Sequence, residues 1–300
     1  MIRHYAVTQI GAYHIKEGSV CQDAHCFKAL GDRFAIGAVA DGVGSAAHAE
    51  IASQIAVTKS VGYCAERIKE GDAPDAILRT IRESFSEALS LILAAAEQNG
   101  HDAKEYDTTL VLAVFLEGSV YFGAAGDSGI IAQLSDGRYE PLTEQQRDED
   151  GCVFPLCFED RWIFGQKGGV VSVLLATDGI YDTFFPFLLR NNEQPLYIAL
   201  IHYMASEEAL GFSSLGEEGV QSKMEAFLAS IPDTAVNDDK TVLLMLDPAS
   251  PVSKQPADYY KEPDFAALKK KRDEEYRRMA YPTLYKDKPN GKENDDLQRE

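Results

Sequence analysis

Six apolar runs of strand length lie between residues 34 and 246, and they constrain the fold more than any other feature: 34–40 (FAIGAVA), 108–116 (TTLVLAVFL), 119–125, 129–134, 170–176 (VVSVLLA) and 241–246 (TVLLML). Runs of this length, rich in Val, Ile, Leu and Phe and bounded by turn residues, read as buried strands. Glu117-Gly118 and Asp136-Gly137 punctuate them as tight turns. The strands from 108 to 140 are therefore expected to follow one another by hairpins, in an antiparallel sheet rather than through βαβ crossovers. Two long helical stretches, 46–69 and 74–98, are separated by Gly71-Asp72-Ala73-Pro74. Asp72 is the expected N-cap of the second, with Pro74 in its first turn. Further helices are expected at 180–190, 195–209 and 216–230. Strands in blocks and helices in pairs predict an α+β layered sandwich, with helices packed outside stacked sheets.

The body is expected to span 1–248, ending where Pro-Ala-Ser-Pro opens a linker. Residues 249–300 form a charged C-terminal arm. Within it, 265–279 (FAALKKKRDEEYRRM) is a helix candidate, and the stretch from Lys286 is polar enough to be disordered. Tyr259, Tyr260, Phe265, Leu268, Tyr276 and Tyr281 are candidates for docking the arm onto the body or a partner. Residues 143–162 read as an irregular excursion between strands. The 300 residues carry a formal charge of −19, and it is uneven: the arm from 251 is nearly neutral, while 1–250 holds 17 basic against 37 acidic residues. Such a body disfavours nucleic acid and anionic membranes as partners. No window is apolar enough for a transmembrane helix, and Met1-Ile2-Arg3-His4-Tyr5 lacks a secretory signal, so a cytoplasmic location is expected. The five cysteines include no CxxC pair and read as free thiols.

Several acidic residues share one placement. Asp41 follows AIGAVA and precedes Gly42, Asp178 follows VSVLLAT and precedes Gly179, and Asp238-Asp239 immediately precede TVLLML. Asp127 follows YFGAAG, and Asp23 stands in CQDAH just before another short strand. One Asp-Gly after a strand is most often a turn. Several carboxylates at one sheet edge would repel one another strongly unless cations neutralise them. Carboxylates, a carbonyl and water suit hard divalent ions such as Mg²⁺ or Mn²⁺. Two such ions about 4 Å apart can hold a hydroxide and a phosphoryl group in line.

In this order the motifs resemble the bacterial form of the protein phosphatase 2C (PP2C) family, metal-dependent protein Ser/Thr phosphatases. The matching pieces are CQDAH (21–25), AVADGVGSAAHAEIAS (38–53), DTTLVLAVF (107–115), FGAAGDSG (122–129), LLATDGIYD (174–182) and NDDKTVLLM (237–245). The resemblance implies an α-β-β-α sandwich, two stacked, mostly antiparallel sheets flanked by helix pairs, with a variable flap at 143–168. It implies that Asp41 bridges two Mn²⁺ or Mg²⁺ ions and that the Gly42 carbonyl binds the second. Asp178 and Asp238 complete the first ion, Asp23 acts through water, and Asp182 serves the second ion or a third. Asp127 and Asp239 match supporting positions. The implied reaction is direct attack of a dimetal-bound hydroxide on phosphoserine or phosphothreonine in a protein, with a Ser/Thr kinase as counterpart and no phosphoenzyme.

Three positions depart from the family pattern. The phosphate-binding Arg falls at Gly18, which leaves His14 and Lys16 as nearby candidates for holding the phosphate. Val43 replaces a His that serves as proposed general acid in some eukaryotic relatives, leaving water or His48. Asp107 replaces a Gly and reads as a turn residue or a support for a third ion. The missing Arg keeps two alternatives open: a PP2C-shaped module that binds phosphoproteins without hydrolysing them, and a phosphatase of small phosphomonoesters.

Overall fold

The computed structural model describes residues 1–282. Its elements, in chain order, begin with β1 (Arg3–Gln9), α1 (Ala12–Glu17), β2 (Ala24–Gly31), β3 (Phe34–Ala40), α2 (Ala49–Arg67) and α3 (Pro74–Asn99). Five strands follow, β4 (Leu110–Leu116), β5 (Ser119–Ala125), β6 (Gly129–Leu134), β7 (Tyr139–Pro141) and β8 (Ile163–Gly168). The chain continues with β9 (Val170–Ala176), α4 (Asp178–Tyr181), α5 (Ile198–Ala205), α6 (Glu207–Leu210), α7 (Phe212–Ser230), β10 (Lys240–Leu246) and α8 (Phe265–Ala280).

Two five-stranded antiparallel sheets are stacked, one in the order β1-β10-β9-β6-β7 and the other β2-β3-β4-β5-β8. The apolar runs are continuous because both faces of their strands are covered. Ile36, Ala38 and Ala40 of β3, and Leu110, Leu112 and Val114 of β4, pack toward α2 and α3. Their alternates Ala35, Val39, Val111, Ala113 and Phe115 meet Val173, Leu175, Leu243 and Met245 between the sheets. Leu174, Ala176, Val242 and Leu244 then face Ile201, Met204, Val220, Met224 and Leu228 of α5 and α7. Period-two side-chain alternation thus builds three apolar layers inside a helix–sheet–sheet–helix stack. The expected α+β sandwich is the observed one. No helix among the described residues is long and apolar enough to cross a membrane.

The connection from β5 to β6 differs from the hairpin expected there. β4 and β5 do form a hairpin, turning at Glu117-Gly118 with both residues at positive φ. β6 instead crosses to the other sheet, where it pairs with β7 and β9. The open edge of β5 is filled by β8, the last six residues of the 143–168 stretch expected as a variable flap. At the crossing, Gly126 has φ +103°, and a Cβ there would meet the Thr109 side chain at 2.5 Å. Asp127 is therefore presented on a link between sheets.

Asp72 is not the N-cap of α3. That position belongs to Ala73, while Asp72 accepts a hydrogen bond from Lys69 N at 2.8 Å and closes the turn leaving α2. Pro74 opens α3 as expected. The helix expected at 180–190 is α4 followed by single 3₁₀ turns at Asp182–Phe184 and Phe187–Leu189, since Pro186 carries no N–H to continue it. Ser206 divides the next helix by capping α6 through Ala209 N.

The arm lies along β7. Ser253 N donates to Ser135 O at 2.8 Å, Gln255 Nε2 to Asp136 O at 2.6 Å, and Tyr139 N to the Tyr259 hydroxyl at 2.9 Å. Tyr260 packs on His202, Phe265 on Tyr197, and Leu268 is half-buried. Tyr276 and Tyr281 are exposed. The stretch from Lys286 lies outside the described residues.

Candidate metal centre

Strand ends fix the acidic residues. The Asp41 backbone, just past β3, is clamped from β4: Asp41 N donates to Thr109 Oγ1 at 2.9 Å, and Asp41 O accepts from Thr109 N at 2.8 Å and Thr108 Oγ1 at 2.9 Å. Gly42 N donates to Gln22 O, and a Cβ at Gly42 would lie 2.7 Å from that of Ala49, so only glycine lets α2 approach this closely. Asp178 is the first residue of α4, directly after β9. Thr177 Oγ1 donates to Asp23 Oδ2 at 2.7 Å, which ties buried Asp23 to the same strand end.

Asp41, Asp127 and Asp178 each place a carboxylate oxygen so that all three lie within 4.8 Å of one another. Asp238, Asp239 and His14 form a second group of the same size. A cavity of about 290 Å³ adjoins both, lined by Asp178, Asp182 and Asp238. Asp239 is engaged in structure: Oδ1 accepts from Gly11 N at 2.6 Å and Oδ2 from Gln22 N at 2.7 Å. His14 is buried with Nδ1 2.9 Å from Asp239 Oδ1, so its ring faces this aspartate, whereas Lys16 is exposed on α1. Asp107 stands apart from both groups; its carbonyl accepts from Val43 N at 3.0 Å and steadies the loop after Asp41. His48, the N-cap of α2, stacks on His101 at 4.1 Å.

The resemblance matches Asp127 to a supporting position, and its carboxylate lies within 4.8 Å of those of Asp41 and Asp178. One feature escaped sequence reasoning. Arg147, inside the stretch that read only as an irregular excursion, points Nε at Asp127 Oδ2 (2.8 Å) and a terminal nitrogen at Asp178 Oδ2 (3.1 Å) and Asp182 Oδ2 (3.5 Å). Gln145 donates to Asp127 O at 3.1 Å and also to Asp182.

The electrostatics call for cations. Burial, then the charges of Asp23, Asp178 and Asp127, push the Asp41 carboxyl well above the usual range. Burial, followed by the charges of Asp127, Asp238 and Asp182, raises Asp178 to about 7. Burial raises Asp23 to about 7 against the opposing hydrogen bond from Thr177, and Asp127 is also raised, chiefly by burial. Asp127 Oδ1 is buried with no hydrogen-bond partner. An all-oxygen set of mutually repelling carboxylates with an orphaned oxygen fits hard divalent ions.

A pH dependence follows for protein kept metal-free. Asp23 and Asp178 hold protons to about pH 7 when folded but ionise near about pH 4 when unfolded. The folded state binds more protons across that interval, so its stability is greatest at the acidic end and declines as pH rises through 7. Melting curves in EDTA are expected to show a higher Tm at about pH 5.5 than at about pH 8. A Tm that climbs between those values would overturn this reading of the two carboxyls.

Residues 10–229 match the family model described as protein phosphatase 2C. The chain belongs to the protein phosphatase 2C family. It is 24% identical over 258 residues to serine/threonine-protein phosphatase 3 of Escherichia coli (strain K12), a match covering 81% of this chain and 96% of that protein. Its fold is similar to the crystal structure of a bacterial serine phosphatase (TM-score 0.58, 15% identity, covering 85% of this chain and all of that one). It is also similar to that of the Mycobacterium tuberculosis serine/threonine phosphatase PstP/Ppp (TM-score 0.55, 18% identity, covering 84% and 99%).

Proposed function

We propose that this chain is a Mn²⁺- or Mg²⁺-dependent protein phosphatase that hydrolyses phosphoserine and phosphothreonine by direct attack of water on phosphorus. The observation that carries it is the meeting of Asp41, Asp127 and Asp178 within 4.8 Å at the strand ends. Asp41, Asp178, Asp238 and the Gly42 carbonyl would hold the ions, with Asp127 beside them in support, Asp182 at the rim of the cavity and Asp23 acting through water. Bound there, divalent ions would stabilise charge on the phosphoryl oxygens and bring the pKa of a water toward neutrality. The chain's own contribution is positioning. Thr108 and Thr109 fix the Asp41 backbone, Thr177 fixes Asp23, and Asp239 gathers the loops at Gly11 and Gln22 beside Asp238. A thiolate nucleophile is disfavoured, because burial and the charges of Asp239 and Asp23 keep the neighbouring Cys21 thiol protonated. The body, with 17 basic and 37 acidic residues in 1–250, disfavours nucleic acid as substrate. A phosphoprotein substrate implies a Ser/Thr kinase working in the same compartment, which we take to be the cytoplasm.

Phosphate release from a phosphothreonine peptide, measured with Mn²⁺, with Mg²⁺ and with EDTA, tests this. Release is expected with either metal and none in EDTA. Release that persists in EDTA, or folded protein inert with every metal, would sink the proposal. The second outcome would favour a phosphoprotein-binding module. A strong preference for a small phosphomonoester over phosphopeptides would move the substrate class instead.

A further inference from the structure

The acidic centre is held by a cation of the chain's own. Every hydrogen bond of the Arg147 guanidinium among the described residues goes to Asp127, Asp178 or Asp182. It is also the one basic side chain within 4 Å of any of those three, or of Asp41, among the described residues. Building on the proposed function, we infer that Arg147 is this chain's phosphate-binding arginine, held on the metal-site carboxylates until divalent ions neutralise them.

Three observations support this. First, Arg147 occupies carboxylates of the same group that would hold a divalent ion, Asp127 and Asp178, and the two positive charges repel. An ion bound there would weaken the hold of those carboxylates on the guanidinium. Second, the release is local. Gln146 ties the excursion to the Asp127 turn through Gln146 N to Gly126 O (3.0 Å) and Gly126 N to Gln146 Oε1 (3.3 Å). Beyond Arg147, residues 148–152 are all exposed, and the Arg147 side chain itself is 31% exposed. It can therefore pivot toward the cavity while its anchor stays in place. Third, none of the other candidates among the described residues fills the role. Gly18 has no side chain, His14 faces Asp239, and Lys16 is exposed on α1. A guanidinium also matches phosphate oxygens with two parallel donors, which an ammonium cannot do.

Arg147→Gln and Arg147→Lys in the full chain test the inference with readouts other than turnover. Mn²⁺ binding is followed by calorimetry and by fluorescence of Trp162, the single tryptophan, whose indole N–H bonds Leu156 O in the same excursion. Inorganic phosphate binding to the Mn²⁺-loaded protein is measured by calorimetry, and the Tm is taken without metal. Arg147→Gln is expected to bind Mn²⁺ about 10-fold more tightly, to bind phosphate about 10-fold more weakly, and to melt lower without metal. Arg147→Lys should fall between it and the parent. Unchanged Mn²⁺ affinity, unchanged phosphate affinity or an unmoved metal-free Tm in Arg147→Gln would each overturn the inference while leaving the proposed function standing. A parent protein that takes up no Mn²⁺ would overturn both.

Discussion

Asp41→Asn is expected to lower metal-dependent phosphate release by about 10²–10³-fold without unfolding the protein, because losing the charge of a proposed ligand would remove several kcal/mol of stabilisation. The substitution keeps the side-chain shape. It also spares the Asp41 backbone, whose N–H and carbonyl are held by Thr108 and Thr109. Removing the charge relieves the crowding that pushes this carboxyl upward through Asp23, Asp178 and Asp127. The metal-free Tm of the variant should therefore equal or exceed that of the parent, while the rise in Tm on adding Mn²⁺ should shrink. Rate, metal-free Tm and Mn²⁺-loaded Tm together check the prediction. Near-normal turnover would show that Asp41 is not a metal ligand.

Gly179→Ala is expected to cost about 1–3 kcal/mol of stability and to weaken metal binding with it. A Cβ at Gly179 would lie 2.1 Å from the carbonyl oxygen of Asp239, a backbone atom that no rotamer change can move. On one side of this contact stands Asp178, just past β9; on the other, Asp238 and Asp239 lead into β10. The two strands pair a few residues away, Ala176 opposite Val242. Relief must come from parting the strand ends, and that separates Asp178 from Asp238. Urea denaturation and Mn²⁺ titration of the variant test this. A variant that matches the parent in both would show that the two loops adjust freely and that the site does not depend on their contact.

What the sequence disclosed follows from which faces the fold buries. β3, β9 and β10 each lie between the opposing sheet and a helix layer, so their runs are apolar at every position and their limits were legible to within a residue. β1 (RHYAVTQ) and β8 (IFGQKG) lie at sheet edges, partly in solvent, and their mixed sequences give no comparable run. Periodicity also marks a strand without saying which sheet it joins, so the passage of β6 to the other sheet was not visible. The aspartates were legible because a carboxylate at the end of a buried strand stands out from a solvated charge. Arg147 was not, since its partners lie 20, 31 and 35 residues away and its neighbours look like any surface loop.

The arm along β7 has a consequence for how copies of this chain meet. β7 is the outer strand of its sheet, and such a strand ordinarily offers a row of free donors and acceptors to any extended segment that drifts past. Here the outward N–H of Tyr139 is capped by the hydroxyl of Tyr259, a phenol with no next rung to offer. Ser253 and Gln255 cover the turn beside it through Ser135 and Asp136. The sheet is thus terminated by side chains, and a chain cut before Ser253 would expose a template on which another molecule could build.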